Sequence, residues 1–296
     1  MTISQVSCHQ TIETESASGE IPVLVCPVCN ANSQFESGFS DIRLYRCAAC
    51  EHCFTDAGRI ARPEAYGPEY YSVVHRNWFN NPHTALFQRM CQAIVAHKPN
   101  ASVLDVGCGN GDLLKYLRAK EPDLSLTGID LCPNLPVTRI EFIRDNFLTY
   151  EFPGTFDVVT SLETIEHVAD VQHFTRRLLE LCNPGGLVIV NTINEQSVLY
   201  EVARRLKKAG FAAPFERLYS KHHLNHFNIS SLRHLLEASG LTVVKLLRHN
   251  VPLAAVDLEA SSGLPTTILR TGVWGTFAMG KITGKTYMQT VFCKRR

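Results

Sequence analysis

The chain has 296 residues, 45% of them hydrophobic, enough to bury a substantial core in one large domain or two unequal ones. Its 29 Lys and Arg nearly balance 28 Asp and Glu, and the formal charge of +1 gives no global field to draw it to nucleic acid or an anionic membrane. Nucleic acid is disfavoured without being excluded, and no membrane span is expected, because the most apolar late stretch, 264–282, is broken by Pro265, Arg270, Lys281 and several glycines.

Taken in chain order, residues 1–20 are polar and lack both a secretory apolar core and a basic amphipathic pattern, so they read as a disordered tail. Eleven cysteines without such a leader point to a cytoplasmic protein with reduced thiols, where paired cysteines more often bind metal. Within 21–58, Cys26-x-x-Cys29 and Cys47-x-x-Cys50 flank a short segment containing Phe35, Phe39, Leu44 and Tyr45. That is the spacing of two knuckles that set four thiolates tetrahedrally about Zn2+, in a module too small to fold on its own core. Cys53 is an alternative to Cys50, and His52 a weaker one. The connector, 59–100, carries aromatic and turn residues (Pro63, Tyr66, Gly67, Pro68, Tyr70, Tyr71) and ends in a helical pattern of Ala85, Leu86, Met90, Ile94 and Val95.

From residue 101 to 296 the pattern predicts strands at 102–106, 124–129, 140–143, 156–160, 187–192, 241–247 and 286–293, with helices at 112–119, 171–182 and 231–238. Asn183, Pro184, Gly185 and Gly186 make a tight turn into the fifth strand, Ser230 or Ser231 caps the last helix, and Gly240 ends it. The alternation means crossover units and an α/β fold around a mostly parallel sheet. An insertion at about 195–229 holds an amphipathic helix, 197–210, with Val198, Leu199, Val202 and Leu206 on one side and a solvated basic face of Arg204, Arg205, Lys207 and Lys208.

Val103-Leu104-Asp105-Val106-Gly107-Cys108-Gly109-Asn110-Gly111 places a buried strand directly before a glycine turn and a helix, where a ligand can approach the backbone. A dinucleotide would need its pyrophosphate at that helix N-terminus, but Asp112 stands there. Asp105, Asp112 and Asp130 together suit a ligand with an ammonium, a sulfonium and a ribose diol. After the fourth strand come Ser161, Leu162, Glu163, Thr164, Ile165, Glu166 and His167, at the strand end where open parallel sheets bind ligands. His167 is the candidate general base, with Glu163 and Glu166 beside it; the three, with His222, His223 or His226, are also a donor set for Mg2+.

Val103–Gly111 with Gly128-Ile129-Asp130 resembles the cofactor signature of class I S-adenosylmethionine-dependent methyltransferases. The resemblance implies a Rossmann-like sheet in which Asp105, Gly107, Gly109 and Gly111 line the methionine part of the cofactor and Asp130 its ribose. Asp145 or Asn146 would meet the adenine, and Leu162 would also line the site. Glu163-x-x-Glu166-His167 is similar both to the ubiquinone-pathway O-methyltransferases and to plant-type small-RNA 2′-O-methyltransferases, where it contributes to a metal site. The cysteine module is similar to zinc ribbons of bacterial methyltransferases acting on sugars and secondary metabolites. The implied activity is methylation of a small molecule, a sugar, quinone or secondary metabolite, at oxygen. The alternatives are metal-assisted RNA 2′-O-methylation and a non-catalytic cofactor-binding scaffold.

Overall fold

The computed structural model describes residues 22–58, 77, 80–133, 136–256 and 266–296. The expected tail, the aromatic part of the connector and Pro265 lie outside the described residues. Two sheets organise the chain. The larger has seven strands in the order β11-β12-β9-β8-β5-β6-β7: β5 (Ser102–Val106), β6 (Ser125–Asp130), β7 (Ile140–Arg144), β8 (Phe156–Leu162), β9 (Cys182–Ile193), β11 (Leu241–His249) and β12 (Met288–Arg295). The five strands from β5 to β9 run parallel, and β12 enters antiparallel between β9 and β11. The order reverses at β5 and β8, which opens a crevice at their carboxyl ends.

Each face of this sheet is covered by helices, as two-sided burial of β5, β8 and β9 demands. On one face α1 (Thr84–His97) and α2 (Asp112–Lys120) pack Leu86, Met90, Leu114 and Leu117 against Val103, Val158 and Ile189. On the other, α3 (Val171–Leu181) and α6 (Ile229–Ala238) pack Phe174, Leu178, Leu232 and Leu235 against Val159, Val188 and Val190.

The smaller sheet is completed by a strand from outside the N-terminal module. Its order is β1 (Leu24–Val25), β2 (Asn32–Phe39), β3 (Ile42–Cys47), β4 (Cys53–Thr55) and then β10 (Asn225–His226), a strand contributed by the insertion far along the chain. Cys26, Val28, Tyr45 and Phe54 share one apolar core with Phe174 and Phe227 of the larger unit.

Three local readings need correction. Asn228, not Ser230 or Ser231, caps α6: its side chain accepts from the Ser231 amide at 2.8 Å, while the Ser231 hydroxyl accepts from the Asn228 amide at 3.1 Å. This reciprocal box satisfies two donors where a lone serine cap would satisfy one. The run Asn183–Gly186 is an extended bulge inside β9, since Phe156 pairs with Cys182 but Val158 already pairs with Leu187. The insertion helix, α4 (Val198–Lys208), buries Tyr200 and Ala203 and leaves Leu206 exposed, because the Tyr200 hydroxyl donates to the Leu218 carbonyl at 3.0 Å. It is followed by α5 (Ala213–Leu218). In the late apolar stretch, α7 (Thr266–Thr283) carries Arg270 and Lys281, with Phe277 inward and Trp274 and Ile282 exposed. Among the described residues, no helix is long and apolar enough to cross a membrane.

Candidate active site

The crevice is built first by β5 and the turn after it. Asp105 is buried and accepts from the Thr160 hydroxyl of β8 at 2.7 Å. Burial, with the Asp130 and Asp112 carboxylates nearby, pushes its pKa up to about 7. A carboxylate held this way fits a cationic ligand group. Gly107 has φ +69°, and a Cβ there would stand 2.2 Å from Thr164 Oγ1, so the turn admits only glycine on two counts. Thr164 reaches the Val106 and Leu162 carbonyls at 3.2 and 3.0 Å and thereby ties the end of β8, with Leu162, to the loop. Gly111 (φ +75°) caps α2 beside the Phe142 ring.

At the end of β6, Asp130 accepts from the Gly109 amide at 2.8 Å and the Cys132 amide at 2.9 Å. A carboxylate has about four lone-pair sites, so two amide donors leave capacity for a ribose diol. The Asp145 amide donates to the Asp130 carbonyl at 3.1 Å, which sets Asp145 and Asn146 beside Asp130, both exposed. The Asn146 side-chain oxygen caps its own turn through the Leu148 amide at 3.0 Å. Glycine turn, buried acid and strand-end acid are thus brought together, and their acceptor oxygens suit an ammonium and a ribose diol.

After β8 the three expected acceptor-site residues part company. Glu163 is half-buried, in the left-handed region at φ +53°, with Asn191 Nδ2 donating to its Oε1 at 3.2 Å. His167 Nδ1 lies 2.7 Å from the His222 carbonyl and must donate to it, which makes Nε2 the basic nitrogen. The His223 ring stands 4.9 Å from that of His167. Glu166 instead turns inward: it is buried, accepts from the Thr192 hydroxyl at 2.8 Å, and has its pKa raised to about 7 by burial. Its backbone carbonyl receives the Leu224 amide and so holds the returning end of the insertion. His226 is likewise buried, 3.2 Å from the Thr55 hydroxyl, with its pKa lowered to about 3 by burial. Among the described residues, Glu163, Glu166 and these histidines do not assemble a three-donor group; Cys26, Cys29, Cys47 and Cys50 do.

The four cysteine sulfurs lie within 4.8 Å of one another, with Cys26–Cys50 at 3.6 Å and Cys29–Cys47 at 3.4 Å. Zn–S bonds of about 2.3 Å in a tetrahedron put sulfurs roughly 3.8 Å apart, close to these values. The two knuckles repeat one backbone design: Asn30 donates to the Cys26 carbonyl and Glu51 to the Cys47 carbonyl, each at 3.0 Å and each with φ near +60°. Cys53 and His52 are not substitutes. Cys53 faces Glu36, and His52 Nε2 meets Asn225 Oδ1 at 3.1 Å, and neither joins the four-cysteine group.

Beyond the carboxyl end of β9, Glu195 is buried and accepts from Arg46 at 2.8 Å, Arg204 at 2.5 Å and the Tyr219 hydroxyl at 2.6 Å. This ties ribbon, α4 and α5 to one strand. Lys207 sits 3.9 Å from the centre of the Phe215 ring. The basic face of α4 is therefore partly turned inward rather than solvated.

A methyltransferase-domain family model matches residues 77–246. The chain belongs to that family. This methyltransferase is 34% identical over 168 residues to a ubiquinone biosynthesis O-methyltransferase of Methylococcus capsulatus, covering 50% of this chain and 68% of that protein. It is 36% identical over 117 residues to the Xanthomonas campestris pv. campestris protein of the same name, covering 36% and 48%. A solved Burkholderia thailandensis 1,6-didemethyltoxoflavin-N1-methyltransferase is 15% identical, covering 86% of this chain and 99% of that one with a TM-score of 0.45. The methyltransferase has the expected Rossmann-like class I sheet and a ribbon-like cysteine module. No individual role for Thr160, Thr164, Asn191 or Glu195 follows from sequence. Their one signal is polarity inside or beside apolar runs, such as Asn191 after Val188-Ile189-Val190.

Proposed function

We propose that this methyltransferase transfers the methyl group of S-adenosylmethionine to an oxygen of a small-molecule acceptor, with His167 as general base. The observation that carries the reading is the locked imidazole: the His222 carbonyl takes the Nδ1 proton, so Nε2 carries the lone pair needed to remove a hydroxyl proton. When bound, S-adenosylmethionine supplies an electrophilic methyl group on a sulfonium. Asp105 would hold its amino-acid end, Asp130 its ribose, Asp145 or Asn146 its adenine, and the glycine turn would bring backbone within reach. His167 would hold the proton that the acceptor hydroxyl gives up to become nucleophilic. The chain then has to align the two reactants and exclude water, which the insertion over the strand ends is placed to do. The names of the relatives support oxygen as the acceptor atom. Cys26, Cys29, Cys47 and Cys50 hold Zn2+ in a structural role, in keeping with a closed four-thiolate set.

The test starts from calorimetric titration with S-adenosylmethionine. Binding that weakens roughly ten- to a hundredfold in Asp130→Ala, the scale of a charged hydrogen bond, supports the cofactor site. With catechol as probe acceptor and methyl-labelled cofactor, His167→Ala should slow transfer roughly 10²–10⁴-fold while leaving cofactor binding intact. Transfer that persists in that variant, or that requires added Mg2+, would refute the base assignment.

A further inference from the structure

We propose that His83 and His249 are positioning residues of the acceptor site: through Asn191 they present Glu163 as a fixed, hydrogen-bond-accepting carboxylate. The inference rests on the proposed function and takes Glu163, which follows β8 beside His167, to border the acceptor. It assigns that border a preference for groups that donate, hydroxyls above all, over carboxylates or phosphates.

The hydrogen bonds run one way. His83 precedes α1, and its Nδ1 accepts the Leu86 amide at 3.3 Å, so its proton sits on Nε2. That Nε2 is 3.1 Å from His249 Nδ1, which must accept. His249, at the end of β11, therefore carries its own proton on Nε2, 3.1 Å from Asn191 Oδ1 and 2.8 Å from Thr290 Oγ1. The Thr290 hydroxyl also reaches Asn191 Oδ1, at 2.8 Å. With its oxygen engaged by these donors, the fully buried Asn191 amide can only turn Nδ2 outward, and this is the group that donates to Glu163 Oε1. Bonds aligned head to tail polarise one another, so each tautomer is set by its neighbour.

The run requires neutral rings, because a protonated His249 would point an N–H at the His83 N–H. Burial supplies this, lowering the pKa of both rings and taking His249 to about 3, with Arg89 acting in the same direction. The chain of groups crosses β11, β12, β9 and the end of β8, and it ends on a residue held at φ +53°. Left-handed backbone at a residue other than glycine persists only where its surroundings over-determine it. The hydrogen bond that the Glu163 backbone N–H donates to the Asn191 carbonyl, at 2.8 Å, together with the one its side chain accepts from Asn191, provides that determination.

The experiment labels histidine ring nitrogens with 15N and glutamate carboxyls with 13C in the full chain, and reads tautomers by long-range 1H–15N correlation without any acceptor. Both His83 and His249 should be Nε2–H tautomers. His83→Ala should shift His249 to a mixture and move the Glu163 carboxyl resonance. His83→Gln, whose amide can still donate to His249 Nδ1, should restore both. Titration with S-adenosylmethionine should give a dissociation constant within about twofold of wild type in each variant, the sign of intact fold for a change remote from the cofactor site. An Nδ1–H tautomer at His249 in the wild type, or a Glu163 resonance indifferent to His83→Ala, would overturn the proposal. Glu163→Gln with the catechol probe separates the two claims. Lost transfer with the expected tautomers supports both. Unchanged transfer removes Glu163 from the acceptor site and with it the donor preference, even if the tautomers hold.

Discussion

At the residue scale, the electrostatics of Asp105 give a pH prediction whose sign can be worked out. Burial raises its carboxyl to about 7, so the folded chain without ligand retains a proton there that the unfolded chain loses near 4. Between those values this group therefore makes the free protein less stable as pH rises. A bound ammonium favours the carboxylate, so cofactor binding should release a proton near neutral pH and tighten from pH 6 to 8, by up to about tenfold per unit below the pKa. Calorimetry in two buffers of different protonation enthalpy counts that proton, and a count of zero across the range would sink the account. Thr160→Val removes the hydrogen bond that lowers this pKa and should move the whole profile upward. Gly107→Ala should abolish cofactor binding, because φ +69° and the 2.2 Å approach to Thr164 act together. These loop residues were legible because a glycine turn after a buried strand leaves a short-range pattern. Glu166 was legible as chemistry but not as geometry, since spacing alone does not reveal that its side chain turns to Thr192.

At the element scale, the sequence pattern located every strand of the larger sheet, missing only the bulged start of β9, because two-sided burial writes continuous apolar runs such as Leu187-Val188-Ile189-Val190. What it misplaced was decided by long-range partners. The inward side of α4 is set by Tyr200 reaching Leu218, and its cations by a Glu195 lying outside the helix pattern. That clamp carries its own prediction. Glu195→Ala removes one acceptor from Arg46, Arg204 and Tyr219 at once, leaving two guanidinium groups without their shared carboxylate. The expected loss is about 2–4 kcal/mol in urea denaturation, short of a fully buried pair because solvent still reaches both arginines. Glu195→Gln should fall between, as the amide oxygen still accepts from Tyr219 while the charge is gone. A loss under about 0.5 kcal/mol in the alanine variant, the scale of an ordinary surface change, would show that the clamp does not hold the insertion.

At the scale of the whole molecule, the cysteine module is continuous with the insertion, a relation that no local pattern announces because β4 and β10 lie so far apart in the chain. Beyond that strand pairing, Asn228 Nδ2 donates to the Glu51 carbonyl at 3.0 Å, His52 meets Asn225, and Arg46 meets Glu195. On the proposed structural Zn2+, these contacts depend on the knuckles keeping β3 and β4 in place, with the metal holding the four sulfurs that lie within 4.8 Å of one another. The glycine turn, Asp105 and Asp130 are supported instead by β5, β6 and the helices on the sheet. Removing the metal with a chelator should therefore uncouple two functions. Amide exchange should rise in 24–55 and in 196–228 together, while β5, β6 and β8 stay protected and S-adenosylmethionine still binds. Methyl transfer to the catechol probe should fall, because the insertion no longer excludes water from the acceptor. If exchange rose in the ribbon alone, the shared strand would not transmit the metal's support; if protection were also lost in β5 and β6, the ribbon would be part of the cofactor-binding core itself.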